Sequence, residues 1–397
     1  MLVHDRVVVR MIATCSIIVL VAWPAHTSAI ARQSDARPEP PAVTATAAFV
    51  RDVSASVDLY DLNADERLAA GSTIKIATAL VVRASVDLDT EVLIVDSDPV
   101  AEGYSSMELL VGDTLTVEQL LIGLLVPSGG DAAQALARFV GAGLLDEDPV
   151  TVDPAAAIER FVAAMNDLSN DLGLQNTRFV NPDGRDAEEQ YTSARDLATI
   201  ATSLMADAAL REIVALPEYD FISIGGNQYT KLNTNELLSE PDVIGIKTGS
   251  ESLAGACLVL ATEVGENQVI TVILGSDLAY DDVTGEKTID GRYDDARSLL
   301  SALDADFRWV ALDDPNTVPG LEAALFAWQV TLKDGPELVI PTAHDEDLTF
   351  RLRLGAPGEP DEVVGRVLFF AGSAQVGDRP LYQATVARGG SVSLLAA

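Results

Sequence analysis

Cysteine, histidine and lysine are scarce in this sequence. Its 397 residues contain 2 cysteines, 3 histidines and five lysines. Removal of residues 1–31, which have the composition of a targeting segment, would leave only Cys257 and His344. One cysteine cannot form an internal disulfide, and one cysteine with one histidine cannot complete a zinc cluster. A serine nucleophile in this chain would therefore use lysine as its base, with His344 as the single remaining histidine candidate.

Basic residues are also few relative to acidic ones. The chain has 26 lysines and arginines against 61 aspartates and glutamates, which gives a formal net charge of −35. Nucleic acids bind basic surfaces, so this charge argues against a nucleic-acid partner. It equally disfavours a polybasic membrane-binding patch. We predict no metal and no cofactor, and the sequence makes no prediction of an oligomeric state.

The N-terminus has the pattern of an export signal. Two arginines precede an apolar run over residues 11–25, and small residues follow up to Ala31. This order predicts a signal peptide over residues 1–31, followed by a flexible leader over residues 32–45. The protein is then exported, to the cell wall, the periplasmic space or the medium. An uncleaved signal would instead leave an N-terminal membrane anchor, although the run is short for a bilayer span.

Two folded regions follow the leader. Residues 46–303 alternate strand-like runs with helical patterns, which predicts an α+β fold with a sheet covered by helices. Residues 305–397 differ, because residues 348–354 alternate strictly between apolar and polar side chains. We interpret them as a small all-β domain. In the first region, residues 52–59, 254–262 and 269–275 are predicted strands, and residues 74–84, 115–125, 132–140, 158–172, 194–205 and 293–303 are predicted helices.

Ser72 and Lys75 form an S-x-x-K motif at the start of an apolar helical pattern. A spacing of three residues places both side chains on one helical face. The positive end of the helix dipole disfavours a protonated amine there, and a neutral amine is what a base requires. Alone, the motif is better explained by a serine that caps a helix and an ordinary surface lysine.

Two more motifs follow in the same region. Ser128 lies on a turn between two helical patterns, where its hydroxyl could face a cleft. Lys247, in a K-T-G motif before a predicted strand, could bind a carboxylate from a sheet edge and lower the pKa of Lys75 by repulsion. Each motif also has a purely structural explanation, turn chemistry for Ser128 and protection of a sheet edge for Lys247.

In this order, the three motifs resemble those of penicillin-binding proteins and serine β-lactamases. The chain is similar to low-molecular-weight penicillin-binding proteins, which are serine-type D-alanyl-D-alanine carboxypeptidases, over residues 46–303. The resemblance implies a transpeptidase-like domain, with an antiparallel sheet flanked by helices, and a small C-terminal all-β domain. Similar segments beyond the motifs include residues 125–133, 177–184, 191–198, 233–238 and 254–258.

The resemblance also implies roles for individual residues. Ser72 is the nucleophile, Lys75 is its general base, and Ser128 relays a proton. The substrates are peptidoglycan stem peptides, which lose their terminal D-alanine, and β-lactams are covalent inhibitors. Backbone N–H groups of Ser72 and Ser250 form the oxyanion hole. The residues implied in substrate binding are Lys247, Thr248, Gly249 and Ser250.

Two departures from the family pattern leave alternatives open. Gly130 replaces the asparagine of the usual S-x-N motif, and Glu251 replaces a threonine or serine after the K-T-G motif. A carboxylate at Glu251 would repel the substrate's own carboxylate if it faces the cleft. The chain could then be a weak or inactive relative that binds muropeptides. An endopeptidase or a β-lactamase is a further alternative, although no Glu-x-x-Leu-Asn segment supplies a deacylating carboxylate.

Overall fold

The fold comes from a computed structural model that describes residues 38–101, 103–281, 283–312, 317–343 and 348–384. The predicted signal peptide and His344 lie outside these residues. Among the helices described, none is long and apolar enough to cross a membrane.

Helices and strands alternate along the chain, as the mixed sequence pattern predicted. The helices are α1 (Lys75–Ser85), α2 (Val117–Leu125), α3 (Gly130–Leu144), α4 (Pro154–Asp171), α5 (Ala194–Ala206), α6 (Ala208–Val214), α7 (Arg292–Asp306) and α8 (Leu321–Trp328). The strands of residues 46–303 are β1 (Ala47–Asp52), β2 (Val57–Leu62), β3 (Glu91–Leu93), β4 (Thr114–Thr116), β5 (Glu218–Ile222), β6 (Gln228–Leu232), β7 (Val243–Glu251), β8 (Gly255–Val264), β9 (Asn267–Ser276), β10 (Leu278–Tyr280) and β11 (Lys287–Asp290).

A five-stranded antiparallel sheet in the order β2-β1-β9-β8-β7 forms the centre of this region. The two apolar runs predicted as buried strands are β8 and β9. The single strand predicted over residues 52–59 was wrong, because β1 ends at Asp52 and β2 begins at Val57. Residues 53–56 form a turn between the two strands, so the alternating residues belong to a hairpin and not to one strand. β7 lies at the edge of the sheet, as predicted for the strand that carries Lys247.

Each face of the sheet packs against helices, since its strands place alternate side chains on opposite faces. Phe49, Val259 and Val272 belong to a large core shared with α1 to α5. Val50, Leu258 and Ile273 belong to a second core, which α7 covers. Several helices therefore cover one face of the sheet, and α7 covers the other. The predicted α+β architecture, an antiparallel sheet flanked by helices, is confirmed.

The C-terminal region has its own sheet and its own core. Its strands are β12 (Phe307–Val310), β13 (Val330–Thr331), β14 (Leu338–Pro341), β15 (Leu348–Leu354), β16 (Val363–Ala371) and β17 (Ala374–Gln383), and four of them form a sheet in the order β13-β17-β16-β15. The β domain is as predicted, except that it also contains the short helix α8. α7 runs to Asp306, so the last turn of that helix leads into this region.

Asp52 joins the two regions. Its side chain is 0% exposed, and its carboxylate accepts hydrogen bonds from Trp309 Nε1 at 2.8 Å and Asn267 Nδ2 at 2.7 Å. It also accepts from the backbone N–H of Ala55 in the β1–β2 turn at 2.6 Å. One carboxylate on β1 thus satisfies donors from the β1–β2 turn, β9 and β12. Removing it would leave buried donors unpaired.

Residues just before the predicted start of the domain at residue 46 contact α7. The backbone N–H of Thr44 donates to Asp295 Oδ1 at 2.7 Å, and Thr44 Oγ1 donates to Asp295 Oδ2 at 2.9 Å. Ala45 is buried in the core that α7 covers. The end of the predicted leader is therefore held against α7.

We expect Asp52→Ala to destabilise the protein by about 3 kcal/mol, because several buried donors lose their shared acceptor. Asp167→Ala is the matched control, since Asp167 is exposed on α4. Thermal and urea unfolding measure the difference. Equal stability of the two variants would contradict the role given to Asp52.

Candidate active site

Ser72 lies in a 3₁₀ turn, Gly71–Ile74, that leads directly into α1. Gly71 has a left-handed φ of 54°, a conformation that favours glycine because it has no Cβ. The turn places Lys75 Nζ 2.8 Å from Ser72 Oγ, within hydrogen-bond distance. The two residues of the first motif are therefore in direct contact.

Lys75 is almost completely buried, with 2% of its side chain exposed. Its amine also donates a hydrogen bond of 2.6 Å to the carbonyl oxygen of Asp183. Burial lowers the pKa of Lys75 to about 8, although the negative charges of Asp183 and Glu251 oppose the shift. Burial is the main cause of this shift, rather than the helix dipole or the charge of Lys247 that the sequence indicated. The result is the same, a larger fraction of neutral amine near neutral pH.

Ser128 occupies the turn between α2 and α3, as its flanking patterns predicted. It adopts a left-handed φ of 67°, which is uncommon for a residue with a side chain. Its side chain is 3% exposed, and its Oγ has no hydrogen-bond partner among the residues that the structure describes. It lines the same cleft as Ser72 and Lys75. A buried hydroxyl without a partner, in a cleft, can bond a ligand.

Lys247 lies on β7, and its amine is buried rather than open to the cleft. Its Nζ donates a hydrogen bond of 2.9 Å to the carbonyl oxygen of Thr248. Burial, together with the positive charges of Lys75 and Arg292, holds the pKa of Lys247 well below its usual range. The three residues that follow Lys247 line the cleft. Among them, Thr248 Oγ1 lies 2.6 Å from Thr234 Oγ1.

β7 and the serine turn approach each other closely through two glycines. A Cβ on Gly249 would lie 2.6 Å from the carbonyl oxygen of Ala70 and 3.2 Å from the backbone nitrogen of Ser72. A Cβ on Gly71 would lie 3.0 Å from the backbone nitrogen of Ser250. Side chains at either glycine would separate the two segments. The contact places the backbone nitrogens of Ser72 and Ser250, two residues that line the cleft, near each other.

Arg292 is a site residue that none of the sequence motifs indicated. It is the first residue of α7 and is 1% exposed. Its guanidinium donates to the carbonyl oxygen of Gly249 at 2.7 Å and to Ser250 Oγ at 2.5 Å, and it pairs with Asp290 at 2.5 Å. It therefore fixes the end of β7 from the α7 side. The sequence offered no signal, because an arginine before a helical pattern is usually solvent-exposed.

The cleft over Ser72 and Lys75 has a volume of about 720 Å³. Both departures from the family pattern, Gly130 and Glu251, line it. The predicted site residues on its wall are Ser72, Lys75, Ser128, Thr248, Gly249 and Ser250. Residues that the motifs did not identify include Arg185, Thr234 and Arg292. Thr234 belongs to a segment that already resembled the family, so that likeness could have indicated it.

Gly130 has neighbours that limit what could replace it. Its backbone N–H donates to the carbonyl oxygen of Ser105 at 2.8 Å. A Cβ would lie 3.3 Å from that oxygen and 3.3 Å from Val100 Cγ1. The segment that contains Val100 and Ser105 therefore packs where a larger side chain would begin. The cleft is shaped around glycine at this position.

The sequence of this chain is similar to those of known D-alanyl-D-alanine carboxypeptidases. The family model for D-alanyl-D-alanine carboxypeptidase matches residues 34–278. The D-alanyl-D-alanine carboxypeptidase of Streptomyces sp. (strain K15) is 37% identical over 247 residues, which are 59% of this chain and 82% of that protein. The D-alanyl-D-alanine carboxypeptidase DacC of Escherichia coli (strain K12) is 30% identical over 364 residues, 86% of this chain and 84% of that protein.

Two solved structures of penicillin-binding enzymes are also similar to this chain. The Streptomyces K15 DD-transpeptidase is 36% identical with a TM-score of 0.58, over 66% of this chain and 97% of that one. Penicillin binding protein 6B from Escherichia coli is 26% identical with a TM-score of 0.64, over 87% of this chain and 97% of that one. The resemblance drawn from the sequence motifs is confirmed. The chain belongs to the D-alanyl-D-alanine carboxypeptidase family of serine peptidases.

Proposed function

We propose that Ser72 is the nucleophile of a D-alanyl-D-alanine carboxypeptidase and that Lys75 is its general base. The observation that carries this assignment is the 2.8 Å contact between Lys75 Nζ and Ser72 Oγ inside the cleft. With the amine neutral, the hydroxyl donates its proton to Nζ while Oγ attacks the carbonyl carbon of the penultimate D-alanine. The product of this step is a tetrahedral intermediate with a negatively charged oxygen.

The oxyanion is held by the backbone N–H groups of Ser72 and Ser250. The close approach of Gly71 and Gly249 supports this role, because it keeps the two nitrogens near each other. Donors fixed in advance stabilise developing charge without reorganising during the reaction. Arg292 contributes by fixing the end of β7 through Gly249 and Ser250.

The terminal carboxylate of the peptide binds at Thr248. Lys247 holds this residue through its hydrogen bond to the Thr248 carbonyl oxygen, and Arg292 supplies positive potential behind the strand. When the intermediate collapses, the C–N bond breaks and the amine of the last D-alanine leaves with a proton. Ser128 relays this proton from Lys75, since its unpaired hydroxyl lies in the same cleft. Water, deprotonated by Lys75, then attacks the acyl-enzyme and regenerates Ser72.

We propose peptidoglycan stem peptides as the substrates and β-lactams as inhibitors that acylate Ser72. The enzyme acts outside the cytoplasm, as the N-terminal signal pattern indicates. Gly130 does not make the protein a mere binder of muropeptides, because Ser72 and Lys75 keep their contact beside it. Its position at the cleft wall affects how the substrate amide is held.

Ser72→Ala is expected to abolish both D-alanine release from a pentapeptide and covalent labelling by a fluorescent penicillin, because no other group replaces Oγ. Ser85→Ala is the matched control, since Ser85 lies at the far end of α1 and its hydroxyl bonds the Val81 carbonyl. Labelling that survives in Ser72→Ala would rule out this nucleophile.

The acylation rate should depend on the protonation of Lys75. Because burial lowers the pKa of Lys75 to about 8, the neutral base becomes more abundant as the pH rises toward that value. We expect the rate to rise by about tenfold per pH unit below the pKa and to level off above it. Stopped-flow acylation by a penicillin measures this profile. A rate that is independent of pH on the acid side would contradict the assignment of the base.

Gly249→Ala is expected to slow acylation by about 100-fold, the loss expected when a reacting group moves by about 1 Å. The added Cβ would meet the Ala70 carbonyl oxygen at 2.6 Å and push β7 away from the serine turn. Gly143→Ala is the control, because nothing lies within 4 Å of a Cβ there. Equal acylation rates in the two variants would exclude the proposed close approach.

A further inference from the structure

Glu251 places an unpaired carboxylate in the cleft. It is the last residue of β7, and it lines the cleft together with Ser72 and Lys75. Within the described part of the chain, its carboxylate has no hydrogen bond and no ion pair. A half-buried carboxylate without a partner is costly to the folded protein. The mechanism above assigns it no role.

The order of residues along β7 indicates which part of the substrate Glu251 faces. In the proposed mechanism, Thr248 receives the terminal carboxylate and Ser250 receives the oxygen of the scissile carbonyl. The strand therefore runs from the leaving group toward the acyl group of the peptide. Three residues of extended strand span about 10 Å, so Glu251 lies well beyond Thr248. The expected repulsion between Glu251 and the terminal carboxylate is thereby avoided.

The charges around Glu251 are of both signs: Asp186 and Asp183 are negative, and Lys75 and Arg185 are positive. Arg185 Nε pairs with Asp183 Oδ2 at 2.7 Å, and its guanidinium lies 5.5 Å from the Tyr104 ring centroid. Asp186 Oδ2 accepts the backbone N–H of Leu253 at 2.7 Å, in the turn that follows β7. Arg185 is thus committed to Asp183. A cation that enters beside Glu251 would meet a carboxylate with no direct partner among the described residues, next to the further negative charges of Asp186 and Asp183.

We infer that Glu251 is a specificity-determining residue that binds an ammonium group on the side chain of the residue preceding D-alanyl-D-alanine. This inference rests on the proposed function, because it uses the direction in which the peptide lies along β7. The substrate class is therefore a stem peptide whose third residue carries a free amine. The same subsite disfavours a peptide with a carboxylate as the only charge at that side chain.

The test compares D-alanine release from three acyl donors that end in D-alanyl-D-alanine. Their preceding residue is lysine, Nε-acetyl-lysine or glutamate. For the wild-type protein, we expect kcat/KM to be about fivefold higher for the lysine donor than for the acetylated one, and lowest for the glutamate donor. Glu251→Gln should reduce the preference for lysine to about one and improve the glutamate donor.

Glu263→Gln is the matched control, because Glu263 is an exposed glutamate at the other end of the β7–β8 pair. It removes one negative charge and should keep the preference for lysine. Equal kcat/KM values for the lysine and acetyl-lysine donors in the wild type would overturn the inference. A preference that survives in Glu251→Gln would overturn it too. Failure of the proposed function has a different signature, since no donor would then release D-alanine and a penicillin would not label Ser72.

Discussion

The rest of the site depends on one buried contact, between the amine of Lys75 and the hydroxyl of Ser72. A lysine in water is protonated at neutral pH and cannot act as a base. The fold changes this by burying the side chain at the first turn of α1, where the charged form is poorly solvated. A chain with almost no histidine thus obtains its base from burial.

That neighbourhood is assembled from parts of the chain that are distant in sequence. The serine turn precedes α1, Ser128 lies between α2 and α3, and β7 comes from the edge of the central sheet. Glycines at the turn and on β7 let two backbones meet where side chains would keep them apart. Arg292 then fixes β7 from α7. The geometry of the cleft is therefore a property of the whole fold rather than of any one motif.

The sequence could predict those features that depend on local spacing. Ser72 and Lys75 are three residues apart, on a 3₁₀ turn and the first residue of α1, so the predicted placement on one face brought them into contact. Features that depend on tertiary contacts were missed. The bonds of Arg292 to β7 and the junction at Asp52 join residues far apart in the chain, which no periodicity records. The sequence predicted one strand over residues 52–59, because the turn between β1 and β2 continues the alternation of polar and apolar residues. Lys247 was expected to face the cleft, yet its amine is buried behind Thr248.

The most direct test of this account is the titration of Lys75 itself. The chain has only five lysines, so the ¹³Cε resonances of lysine-labelled protein can be resolved and assigned with lysine-to-arginine variants. We expect the resonance of Lys75 to titrate with a pKa of about 8, while an exposed lysine such as Lys333 serves as the internal reference. A Lys75 resonance that titrates near the ordinary lysine value of 10.5 would contradict the claim that burial provides the base.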